Sequence, residues 1–188
     1  MKKTKKKTKS KAPSKKFDLN VLLKDIWPQE RGFMERPDRF RYVRKLLPVT
    51  GCVFCEAEKQ GPGFESLCLR KKNKSLILMN KYPYNTGHLL ILPRRHVGDL
   101  WDLTPEENQE IAAWIPESLK ILKQVFNCDG FNIGLNHGAV AGAGIPQHLH
   151  WHVVPRWGGD TNFFPLIAET KILPESLEQT FNKLKEHF

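Results

Sequence analysis

His148-Leu149-His150-Trp151-His152-Val153-Val154-Pro155 places a histidine at every second position and follows the third with two β-branched residues and a proline. Successive side chains on a strand point to opposite faces. This period of two therefore predicts a strand over residues 148–154, with His148, His150 and His152 along one face at steps of roughly 7 Å. Leu149, Trp151 and Val153 would line the other face. Imidazole is the side chain that titrates nearest neutrality, so such a row suits a nucleophile, a proton carrier and a cation for an anionic substrate. It equally suits a metal.

Upstream, strand-like runs fall at residues 65–69, 75–79 and 87–92, separated by polar residues 70–74 and by Tyr82-Pro83-Tyr84-Asn85-Thr86-Gly87, which reads as turns. Pro93 is expected to end the third run. Thr104-Pro105-Glu106-Glu107 supplies a capping hydroxyl, a first-turn proline and a glutamate three residues on, which predicts a helix from there to about Phe126. Within it Ile111, Trp114, Ile115, Leu119, Leu122 and Phe126 make the apolar stripe that packs on a sheet, and Pro116 predicts a kink. Residues 131–135 alternate as a further strand, residues 138–146 form a glycine and alanine loop, and a carboxy-terminal helix follows from Pro174. One long helix on a mainly antiparallel sheet, with a second helix at the carboxy end, is an α+β arrangement.

A chain of 188 residues with 40% hydrophobic content suits one domain with a core of its own. The net charge of +10 suggests a nucleic-acid partner until it is located: Lys2, Lys3, Lys5, Lys6, Lys7, Lys9, Lys11, Lys15 and Lys16 supply nine of those charges. The chain divides into a disordered lysine-rich tail over residues 1–16, an amino-terminal arm over 17–48, extended or partly helical, and a domain over 49–188. Without aromatic interleaving the tail would touch nucleic acid only non-specifically. No apolar stretch follows the basic start and none reaches the length of a membrane span, which predicts a cytoplasmic protein with no membrane partner.

With no export signal, the four cysteines at 52, 55, 68 and 128 do not read as a disulfide framework. Cys52-Val53-Phe54-Cys55 has instead the two-residue spacing of a zinc knuckle, a weak signal alone. It needs two further ligands, and His96 and His148 are candidates.

HLHWHVV resembles the signature of the histidine triad (HIT) family of nucleotide hydrolases and transferases. GFNIGLNHGAVAGAGIPQHLHWHVVPRWGGDTNF is similar to its bacterial diadenosine tetraphosphate phosphorylase-like branch, and NKYPYNTGHLLILPRRHVGDLWDLTPEE to the family's amino-terminal half. The resemblance covers most of residues 50–175. It implies a HIT-like fold and a homodimer whose two sheets join across the interface. It also implies an enzyme in which His150 attacks the α-phosphorus of a nucleotide and carries the nucleotidyl group, its other ring nitrogen held by a backbone carbonyl. His152 would then offset charge at the phosphate or leaving oxygen.

Further site residues follow from the same likeness. Asn80 matches an asparagine that bonds the ribose, with Ile77, Leu78 and Leu89 forming either a base pocket or plain core. Asn136 stands where a phosphate-contacting Gln or Asn does, and Gly142, Ala143 and Gly144 would line the phosphate path. Arg156 either meets distal phosphates or belongs to a turn. In the related galactose-1-phosphate uridylyltransferases a histidine equivalent to His148 binds zinc beside a Cys-x-x-Cys and another histidine. Cys52, Cys55, His96 and His148 would thus hold a structural zinc, while magnesium would accompany only the substrate. The loop before the triad is about one residue longer than in fragile-type hydrolases and carries Ala-Gly where those have Gln, which favours phosphorolysis of diadenosine tetraphosphate.

Three other readings stand beside this one. A HIT hydrolase would act on dinucleoside polyphosphates or nucleoside phosphoramidates. A non-enzymatic, zinc-stabilised nucleotide- or nucleic-acid-binding module would use the tail and bind with steep salt dependence. A third treats the three histidines themselves as a metal site, against which no carboxylate stands near the row except Asp160.

Overall fold

The apolar runs Ser75–Met79 (β2) and Leu89–Pro93 (β3) are buried at every position and pair antiparallel, Leu76 opposite Leu92 and Leu78 opposite Leu90. The computed structural model describes residues 51–160 and 173–188; the tail over 1–16 and the arm over 17–48 lie outside the described residues. Cys68–Lys71 (β1) flanks β2, and Gly130–Leu135 (β4) and Trp151–Arg156 (β5) complete an antiparallel sheet in the order β1-β2-β3-β5-β4. Three α-helices accompany it among the described residues: Val53–Gln60 (α1), Pro105–Phe126 (α2) and Leu177–Leu184 (α3).

Strand alternation divides the core. Ile77, Met79, Leu89, Ile91 and Val153 face α2 and pack with its Ile111 and Leu122, and with Phe181 and Leu184 of α3. Leu76, Leu78, Leu90 and Leu92 face the other way, onto Phe54 and Ala57 of α1. His152 sits opposite Leu90 in the sheet, so it shares this second face. Ile77 and Leu89 are therefore core under α2 and line no base pocket beside the histidines. Leu78 and Leu90 are the pair on that side.

The α2 start is as expected: the Thr104 hydroxyl accepts from the Glu107 amide and the Glu107 carboxylate accepts from the Thr104 amide. The helix runs on through Pro116, and its predicted stripe packs in the α2-side core. Several boundaries differ. The run at 65–69 becomes a strand only at Cys68, because Leu67 is left-handed (φ +54°) and Ser66 donates to the carbonyls of Gly61 and Gly63, closing a loop. The run at 87–92 becomes a strand only at Leu89 and ends at Pro93, which pairs with Ser75. The carboxy-terminal helix begins at Leu177, since Ser176 caps it. Helix α1 spans only eight residues and has no side-chain cap at Cys52, so no start signal marks it in the sequence.

Gly87 lies where the β2–β3 connection meets α2. It has φ +74°, and a Cβ there would stand 2.9 Å from Phe126 Cε2 and 3.2 Å from Leu122 Cδ2. Gly87→Ala combines left-handed strain with overpacking, so it should cost about 1–3 kcal/mol of stability in a urea titration.

Candidate active site and metal centre

The strand expected over 148–154 forms only from Trp151, and His148 and His150 precede it outside the sheet, held by other bonds. The Leu149 amide donates to the Val97 carbonyl (2.8 Å) and the His148 amide to Ile145 (3.3 Å). The three imidazoles nonetheless gather. His150 and His152 have ring centroids 5.1 Å apart, and Phe54 packs on both His148 (5.4 Å) and His150 (5.0 Å).

Each ring is set by a fixed neighbour. His150 Nδ1 lies 2.8 Å from the His148 carbonyl, an acceptor only, so Nδ1 carries the proton and Nε2 keeps its lone pair. His148 is fully buried, and its Nε2 donates to the Pro93 carbonyl at 2.8 Å, which leaves Nδ1 as the lone-pair nitrogen. Burial pushes the His148 pKa down to about 4 and lowers that of His150, so both are neutral at pH 7.

His152 is set through a residue that sequence reasoning missed. The Asn80 carboxamide accepts the Tyr82 amide through Oδ1, which turns its Nδ2 toward His88 Nδ1 (3.2 Å), and the Tyr84 amide also donates to that nitrogen (3.0 Å). His88 must then carry its proton on Nε2, which meets His152 Nδ1 at 2.9 Å. The proton of His152 is thereby placed on its own Nε2. Only the position of His88, two residues before Leu90 and so on its face, hinted at this.

Cys52, Cys55, His96 and His148 come together from the start of α1, the end of β3 and the triad segment, their ligand atoms all within 4.8 Å of one another. Cys52 Sγ is 3.4 Å and Cys55 Sγ 3.7 Å from His148 Nδ1, and Cys55 Sγ is 3.3 Å from His96 Nδ1. A tetrahedral zinc with ordinary Zn–S and Zn–N bonds needs sulfur-to-nitrogen edges of about 3.6 Å. The group fits a metal ion in donor chemistry and spacing. Burial, then the neighbouring Cys52, raises the Cys55 thiol pKa, a shift a bound cation would oppose. None of the four cysteines is in a disulfide.

The remaining predicted residues surround this centre. Asn136 borders the loop, since a Cβ on Gly142 would stand 3.9 Å from its Nδ2. The amides of Gly142 and Ala143 bond back to Ala139 and Gly138 within the loop, and Gly144 is exposed beyond them. Arg156 directs Nε and Nη2 to Asp160 and Nη1 to Asn132, so all three nitrogens face protein acceptors. Asp160, also bonded by Asn85, closes the turn after β5 instead of orienting a triad imidazole. A cavity of about 510 Å³ opens beside Asn80 and His88 with Leu177 and Thr180 on its far wall, and it meets the triad only through His88.

The HIT domain family model matches residues 64–159, slightly more than half of the chain. The chain belongs to the HIT family. This HIT protein is 43% identical over 116 residues to the AP-4-A phosphorylase of Mycobacterium tuberculosis, an alignment covering 62% of the chain and 60% of that relative. It is 35% identical over 86 residues to the asymmetrical bis(5'-nucleosyl)-tetraphosphatase of Schizosaccharomyces pombe, covering 46% and 47%. The chain thus spans less than two thirds of the length of the first and about half of the second. Among solved structures it is similar to a Zn-bound histidine triad family protein from Mycobacterium smegmatis, with a TM-score of 0.59 and 27% identity over 73% of this chain and 92% of that one. The likeness agrees with the observed α+β sheet. No helix among the described residues is long and apolar enough to cross a membrane.

Proposed function

We propose that this HIT protein is a nucleotidyltransferase acting on dinucleoside polyphosphates, with diadenosine tetraphosphate as substrate and inorganic phosphate as acceptor. The observation that carries the reading is the His150 Nδ1 bond to the His148 carbonyl, which leaves a neutral Nε2 with its lone pair as the nucleophile. His150 Nε2 attacks the α-phosphorus, the bond to the bridging oxygen breaks, and ATP leaves. The Nε2 proton of His152 stabilises that oxygen as charge develops. Phosphate then attacks the adenylyl-histidine, giving ADP and restoring His150.

Asn80 keeps one Nδ2 hydrogen for a ribose oxygen, and Leu78 and Leu90 offer the apolar contact for the base. Asn136 and Gly144 stand along the phosphate path. Arg156 acts by holding Asp160 and the turn. Zinc is the ion suited to Cys52, Cys55, His96 and His148, where a closed set of four ligands would pin α1 to the triad segment. Magnesium would travel with the polyphosphate. β4 is one of the two edge strands of the sheet among the described residues, and a second copy pairing along it would give the homodimer.

Products of diadenosine tetraphosphate with and without phosphate test the reading. ADP plus ATP appearing only with phosphate supports it; AMP plus ATP without phosphate makes the protein a hydrolase, as the S. pombe relative is named. His88→Leu should lower kcat roughly 10- to 100-fold with little change in KM, less than the roughly 10²–10⁴ of a positioned proton donor itself because His88 acts through His152. An unchanged kcat would remove His88 from the account of His152.

A further inference from the structure

Trp101 is 75% exposed, the largest side chain among the exposed apolar residues, with Leu100 (44%) beside it and a fully exposed Val140 on the facing loop. Its segment is docked on the chain that enters the triad. Val97 accepts the Leu149 amide one residue before His150, and Gly98 is so close to Pro146 and Gln147 that a Cβ would stand 3.0 Å from the Pro146 carbonyl. His137, which follows Asn136, bridges the two: its Nε2 is 3.2 Å from Asp99 Oδ1, and its ring meets Trp101 edge to face at 5.1 Å and 84°. An indole held upright by its neighbour, yet largely in water, stands beside the glycine loop.

We propose that Trp101 is the stacking platform for the second purine base of the substrate, the one on the leaving nucleotide. The inference rests on the nucleotidyl-transfer reading and adds to it the means of telling a dinucleotide from a mononucleotide. The first nucleoside lies at Leu78, Leu90 and Asn80. The polyphosphate then passes His150 along the loop from Asn136 to Gly144, and the far base emerges where Trp101 offers a flat apolar surface. Stacking is tolerant of base identity, because every base has a π face, and each stacked base is worth roughly five- to 150-fold in affinity. His137 and Asp99 are positioning residues for the indole.

The test is equilibrium binding of a diadenosine tetraphosphate analogue with methylene bridges, set beside AMP, to the full chain and to Trp101→Ala and Trp101→Phe. Turnover is not needed, so a failure of the reaction assay falls on the earlier reading and a failure here on Trp101. Trp101→Ala should weaken the dinucleotide about tenfold or more and leave AMP unchanged, with Trp101→Phe recovering most of the loss. Equal losses for both ligands, or no loss for the dinucleotide, would overturn the proposal. So would a change in oligomeric state with dinucleotide affinity intact, which would assign the indole to a contact between copies of the chain.

Discussion

His150→Ala is expected to lower turnover of diadenosine tetraphosphate by roughly 10⁴-fold or more while leaving the metal content at one ion per chain. The size follows from the covalent route, since removing a nucleophile that carries an intermediate leaves only binding and electrostatic stabilisation behind. The selectivity follows from geometry. His150 bonds to the His148 carbonyl, not to a ligand atom, so its ring can go without disturbing the four metal-facing donors. Because the ring is 6% exposed and packs on Phe54, some stability is lost with it. His150→Asn, which keeps more of that volume, should be as inactive and more stable. Activity within tenfold of wild type in both variants would show that another group attacks the phosphorus.

The second large effect is expected on removing the metal, by a chelator or by Cys52→Ala. Structural zinc sites contribute much of their binding free energy to folding. Losing even about 4 kcal/mol would lower the melting midpoint by roughly 8–16 °C in a chain of this size. Turnover should fall too, through a short physical path. His148 would hold the ion through its side chain while its carbonyl holds His150, so freeing the side chain would loosen the peptide that sets the nucleophile's tautomer. Metal content and thermal melting of Cys52→Ala, with kcat beside them, check this. An ion retained in Cys52→Ala but lost in His150→Ala would assign the metal to the histidine row and overturn the four-ligand centre.

Much of this architecture was legible because its signals are local. Ser75–Met79 and the α2 capping box sit where the apolar run between polar breaks and the Thr-Pro-Glu-Glu motif put them, and the Cys-x-x-Cys with His96 and His148 converges as the resemblance implied. What was not legible depends on the third dimension. Ile77 and Leu78 are equally apolar in a run without polar punctuation, so only the sheet shows which of them faces α2 and which faces the histidines. The period of two from His148 to His152 looks like one strand, yet its first half is held by Val97 and Ile145 outside the ladder. His88 acts on a residue 64 positions away, and Arg156 is engaged by Asp160 across a turn that no spacing rule identifies. In each case a long-range partner assigns the role of a residue whose local signal is ordinary.

The most direct test of the central claim is to mix the protein with diadenosine tetraphosphate in the absence of phosphate, quench in base, digest, and map any adenylyl group by mass spectrometry. One adenylyl group, labile to acid, is expected on the peptide that carries His148 to His152, localised to His150 and absent from His150→Ala. Turnover accompanied by an adduct at a different residue, or by a His150→Ala protein that turns over substrate as the wild type does, would contradict it.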